Sequence, residues 1–183
     1  MNINLPTALT LLRIAMIPLM VVTHYMGHPL VTAIIFGLAG LTDWADGYYA
    51  RKLNQESRLG AFLDPVADKL MVVVALLLIV EREAEFWVTL AAIAIVGREV
   101  IISALREWMA EVGQRGKVAV AFIGKVKTTA QIIALIFLLY NQPLFGVIPI
   151  RELGLIALAI ATALTLISMV QYLMGAFKGM NNE

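Results

Sequence analysis

Long apolar stretches, each near the roughly twenty residues that carry a helix across a bilayer, alternate with short polar ones along nearly the whole chain. They run from Leu5 to Met26, Pro29 to Ala50, Gly60 to Val80, Phe86 to Ala110, a fifth ending at Tyr140, and Glu152 to Phe177. Backbone amides in hydrocarbon must be satisfied within the segment, and these stretches are too long for barrel strands, so helices are expected. Composition agrees: 61% of the residues are apolar and 15% charged, against roughly 45–50% and 25% in soluble domains. A soluble domain and a disordered chain are both excluded. The expectation is an all-α, polytopic membrane protein with six transmembrane helices, forming one integral-membrane domain over residues 1–183 with no room for a second.

The first stretch lacks a basic start and a small-residue cleavage site, so a removed signal peptide is not expected. No cysteine is present, which removes disulfides and thiolate sites. The net charge of +1 says little, but its distribution is informative. Six spans put both termini on one side, where Arg51, Lys52, Arg58, Arg115, Lys117, Lys125, Lys127 and Lys178 fall; Arg82 and Arg151 fall on the other. This bias places the termini and the loops around 51–59 and 111–117 in the cytoplasm. The charged run Glu81–Glu85 and the stretch Asn141–Pro149 read as turns.

The four aspartates of the chain, Asp43, Asp46, Asp64 and Asp68, all sit at the cytoplasmic ends of the second and third spans. Asp43 and Asp46 are spaced i, i+3, and Asp64 and Asp68 i, i+4, so each pair shares a helix face. A short link makes the two helices antiparallel neighbours, which lets the pairs meet. Four carboxylates at a bilayer edge repel one another unless something neutralises them. Hard divalent cations such as Mg²⁺ or Mn²⁺ favour oxygen ligands, and two bridged ions suit this number of ligands and a phosphoryl displacement. Solvated helix ends or separate ion pairs are the plainer alternative, but they do not require paired helical spacing. Gly47 and Gly60 flank the pairs and would admit a phosphate or a facing backbone, or simply serve helix packing. Pro65 either kinks the third helix or starts it with Asp64 as its cap. Arg13, and Arg98 with Glu99, lie within spans as structural polar links or ligands. His24 and His28, at i, i+4, are read as a surface loop in preference to a metal site. Trp44, Trp87 and Trp108 fit an interfacial aromatic belt, and the nine methionines fit packing.

Taken together, the residues read Asp43-x-x-Asp46-Gly47-x-x-Ala50-Arg51, then eight residues, then Gly60-x-x-x-Asp64-x-x-x-Asp68. This pattern resembles the signature of the CDP-alcohol phosphatidyltransferases, with eight fixed positions at matching gaps. The run Asn4 to Arg13, the pair Arg98-Glu99, the run Ser103 to Glu107 and the run Gly124 to Gln131 are similar to a bacterial branch of that family. The similarity covers nearly the whole chain.

The resemblance implies a six-helix enzyme, usually a homodimer, in the bacterial inner membrane with its active site open to the cytoplasm. Its reaction would move a phosphatidyl group from CDP-diacylglycerol to sn-glycerol 3-phosphate. Asp43, Asp46, Asp64 and Asp68 would hold two Mg²⁺ or Mn²⁺ ions, with Asp68 as general base. Asn4, Thr7, Gly47, Ala50, Arg51 and Gly60 would bind CDP-diacylglycerol, although Thr7 has an alternative as a helix N-cap. Arg106, Arg115, Lys125 and Lys127 are candidates for the acceptor phosphate, or they serve topology and lipid headgroups. Lys125 and Lys127, at i, i+2, do not share a helix face. Membrane lipids are expected partners, and nucleic acid is not. Two rivals stand beside this reading. One keeps the chemistry and changes the acceptor to serine or inositol phosphate. The other is a cation or proton transporter, which would place acidic residues near the midplane or in both halves of the chain.

Overall fold

The computed structural model describes residues 5–53, 58–111 and 122–180. They form six helices: α1 (Leu5–Tyr25), α2 (Pro29–Leu53), α3 (Arg58–Glu83), α4 (Phe86–Glu111), α5 (Phe122–Tyr140) and α6 (Ile150–Met180). Three are long and apolar enough to cross a membrane, over Thr7–Tyr25, Phe86–Glu111 and Ile150–Gly175. Shorter apolar segments, Pro29–Thr42 and Lys127–Tyr140, lie in α2 and α5. In α3 the charged residues Lys69 and Glu81 bound the apolar run.

The connections are tight because the sequence supplies the residues for them. Between α1 and α2, Gly27 takes φ +74°, which lets its amide reach the His24 carbonyl at 3.0 Å and the His28 amide reach Thr23 at 3.0 Å. Between α5 and α6, Gly146 (φ +72°) closes the turn that the Asn141–Pro149 stretch predicts. The charged run Glu81–Glu85 behaves differently from expectation. Glu81, Arg82 and Glu83 continue α3, and the chain reverses only at Ala84 and Glu85. Neighbouring helix ends take up these charges, which removes the need for a solvated loop. Arg151 at the start of α6 bonds Glu83 at 2.8 Å and Glu85 at 2.6 Å. His24 lies 3.5 Å from Glu81, so it closes a helix end instead of lying in a surface loop. Arg82 donates to the carbonyls of Leu138 and Leu139, which the last turn of α5 leaves unsatisfied.

α2 packs on α1, α3 and α5; α3 also meets α1, α4 and α5; α6 lies across α4 and α5. One buried core runs through all six helices, with Met20, Phe36, Leu76, Ile79, Ile95, Leu135 and Leu158 among its members. The outer faces are also apolar. Leu19, Leu77, Ile93, Val100, Ile160 and Val170 are each more than half exposed. A polypeptide that hides large side chains on the inside and shows them on the outside is matched to a lipid solvent.

The α5–α6 contact is the closest. A Cβ built at Gly154 would stand 2.9 Å from the Leu138 Cγ and 3.1 Å from the Phe137 Cβ, and Leu138 is fully buried with no direction in which to yield. Gly154→Val should therefore lower stability by about 1–3 kcal/mol through overpacking. The readout is a lower thermal midpoint in detergent; an unchanged midpoint would show that the two helices can separate at little cost.

Candidate active site

Residues 58–83 form one uninterrupted helix, which settles the geometry of Asp64 and Asp68. Pro65 lies inside α3, so Asp64 does not cap a helix starting there. The two carboxylates are one turn apart on a single face. α1 supplies a matching pair: the Thr10 hydroxyl donates to Asp64 Oδ1, and the Arg13 guanidinium pairs with Asp68 Oδ1. Thr10 and Arg13 are i, i+3 on α1, so the two faces meet in register. Arg13 is 1% exposed, whereas the Asp68 side chain is 42% exposed. The cation is thus enclosed, while the carboxylate keeps an open side.

That open side faces a cavity of about 190 Å³ between α1, α2, α3, α4 and α5. Arg13 of α1, Asp68 and Lys69 of α3, Glu99 of α4, and Lys127 and Gln131 of α5 line it. Phe36, Met71 and Ile132 supply its apolar wall. Lys127 is 3% exposed and donates to Glu99 Oε1 at 2.9 Å; Arg98 donates to the same oxygen at 2.8 Å. Glu99 therefore ties α4 to α5 and holds two cations in place. Both the carboxylate and the ammonium group lie in the same half of the bundle, near the N-terminal halves of α3 and α5.

The other expected site residues divide into three groups. Gly60 is buried in the first turn of α3. Thr7 is 2% exposed and lies two residues inside α1, which begins at Leu5, so it is not the N-cap. Arg106 does not line the cavity. It bonds the Tyr172 hydroxyl on α6 at 3.1 Å and lies over the ring at 5.3 Å, with Arg98 over the same ring at 5.5 Å. The backbone of α2 places Asp43, Asp46, Gly47, Ala50 and Arg51 in one continuous helix, but their side chains, and that of Lys125, lie outside the described ones, as do Asn4 and Arg115 entirely. Among the described residues no group of three or more metal-binding side chains is assembled. The sequence signal that could have found Thr10 is faint, its place one turn before Arg13, whereas Glu99 stood out beside Arg98 and only its bond to Lys127 was hidden.

Residues 3–170 match the family model described as CDP-alcohol phosphatidyltransferase. The chain belongs to the CDP-alcohol phosphatidyltransferase family. It is 50% identical to the CDP-diacylglycerol–glycerol-3-phosphate 3-phosphatidyltransferase of Salmonella choleraesuis over 179 residues, covering 96% of each chain. Proteins of the same name from Haemophilus influenzae (94% of this chain and 93% of the relative) and Pectobacterium atrosepticum (96% of each) are each 52% identical to it. As a CDP-alcohol phosphatidyltransferase with lipid-matched helices, the chain is a membrane enzyme, which leaves the transporter alternative without support.

Proposed function

We propose that this phosphatidyltransferase moves the phosphatidyl group of CDP-diacylglycerol onto sn-glycerol 3-phosphate, giving phosphatidylglycerophosphate and CMP. The relatives named for this reaction support the choice of substrates. The observation that carries it is that one small cavity is lined by both Asp68 and Lys127, a carboxylate and an ammonium group from different helices. A short acceptor with a hydroxyl at one end and a phosphate at the other suits a cavity that offers a proton acceptor and a cation. Asp68 accepts the proton of the 1-hydroxyl as its oxygen attacks the lipid-linked phosphorus. A new P–O bond forms there while the bond to CMP breaks. Arg13 orients the Asp68 carboxylate, and Glu99 orients Lys127 toward the acceptor phosphate. Arg115 and Lys125 complete the acceptor side, Arg106 braces α4 against Tyr172 of α6 instead of joining them, and Asn4, Thr7, Gly47, Ala50, Arg51 and Gly60 hold the nucleotide lipid.

Asp43, Asp46, Asp64 and Asp68 offer only carboxylate oxygens, from two helices that pack together, and this donor set fits Mg²⁺ or Mn²⁺. Two such ions, when bound, would polarise the donor diphosphate and stabilise the departing CMP. Residues 1–183 act as one catalytic domain. All six helices cross the bacterial inner membrane, with termini and site on the cytoplasmic side, a reading supported by the eight-to-two distribution of basic residues. The homodimer belongs to the same proposal and rests on the family pattern.

An acceptor panel tests the reading. Purified protein with Mg²⁺ and CDP-diacylglycerol should release CMP fastest with sn-glycerol 3-phosphate, and more slowly with inositol phosphate or serine. Faster turnover with serine would overturn the acceptor; no CMP with any acceptor would overturn the reaction.

A further inference from the structure

One polar group on the cavity wall has no role in the chemistry above. Gln131 lies one helical turn after Lys127 on α5 and so shares its face. It lines the same cavity and is 5% exposed. Its Oε1 is buried and accepts no hydrogen bond from any described residue. A buried amide oxygen without a donor is costly to keep, and the adjoining cavity is where a donor can arrive.

We infer that Gln131 is a specificity-determining residue whose Oε1 accepts a hydrogen bond from the secondary hydroxyl of the acceptor. The inference rests on the acceptor reading proposed above. With the phosphate at Lys127 and the attacking hydroxyl at Asp68, the middle carbon lies between them, beside the α5 face that carries Gln131. An oxygen that can only accept selects for a ligand that donates at that carbon. An acceptor lacking that hydroxyl leaves Oε1 buried and unsatisfied, so the site disfavours it.

The probes are sn-glycerol 3-phosphate and 3-hydroxypropyl phosphate, which differ only in the secondary hydroxyl. For the wild-type enzyme, kcat/KM should favour glycerol 3-phosphate by about 10- to 100-fold. In Gln131→Leu the ratio should fall to within about threefold of unity, through loss with glycerol 3-phosphate, while the KM for CDP-diacylglycerol stays near wild type. The ratio is measured on one preparation, so any inactive fraction cancels. Gln131→Met, unbranched and of similar length, should give the same collapse and is the second variant if the first folds poorly. A ratio that survives in both variants, or equal loss with both acceptors, overturns the inference while leaving the reaction standing. A wild-type enzyme that uses neither phosphate acceptor, yet releases CMP with serine, overturns the acceptor reading and this inference with it.

Discussion

Asp68→Asn should cut CMP release by about 10²- to 10⁴-fold, the usual contribution of a positioned general base. The substitution separates proton acceptance from architecture. Asparagine matches aspartate in shape, and its Oδ1 can still accept from the Arg13 guanidinium, so the α1–α3 contact survives. What it cannot do is take a proton from the attacking hydroxyl. The loss should therefore appear in kcat, with the KM for CDP-diacylglycerol changed much less. The side chain is 42% exposed, so losing its charge should disturb folding less than the same change at an enclosed carboxylate, and a thermal midpoint measured on the same sample checks this. Wild-type turnover in Asp68→Asn would remove Asp68 from the chemistry. A collapse of stability alongside activity would recast it as a structural partner of Arg13.

Much of this arrangement was legible before any coordinates. Apolar stretches near bilayer length pointed to six helices, and the prolines and glycine of Asn141–Pro149 marked the α5–α6 turn, because these signals act within a few residues; the tight α1–α2 turn at Gly27 was not among the expected ones. The spacing of Asp64 and Asp68 became a shared face as soon as α3 proved continuous. The partners of those carboxylates were not legible. Thr10 reaches Asp64 across 54 positions and Arg13 reaches Asp68 across 55; such pairings depend on how two helices cross, which local sequence does not encode. Arg13 was visible as a charge in an apolar helix, but nothing in its own neighbourhood named its partner. Glu99 was visible as a partner for Arg98, and its second bond, to Lys127 on another helix, was not. The run Glu81–Glu83 misled for a related reason. Three consecutive charges suggest a solvated turn, yet His24 and Arg151 arrive from other helix ends and let α3 continue.

Arg13 should be nearly as sensitive as Asp68, and for a different reason. Its guanidinium is enclosed and does not need to touch either substrate to matter; it fixes the direction of the Asp68 carboxylate. Arg13→Met removes the charge from a buried position and leaves behind a carboxylate with an open side. Removing a partner from an enclosed ion pair costs several kcal/mol when the remaining charge is trapped; here the remaining charge can rehydrate, so the stability cost should be about 1–2 kcal/mol, discounted for that exposure. The activity cost should be larger, about 10²-fold, because a base that swings away from its proton loses the benefit of positioning. Arg13→Lys should restore little of it. A lysine ammonium is a shorter, more strongly hydrated point charge and does not reproduce the reach of the guanidinium to Asp68 Oδ1. The decisive measurement is the double variant. If Arg13 works through Asp68, then Arg13→Met in an Asp68→Asn background should lower kcat by less than about threefold, far from the product of the two single effects. Multiplicative losses would show that Arg13 acts independently, through the fold or through the substrate, and the positioning role would fall.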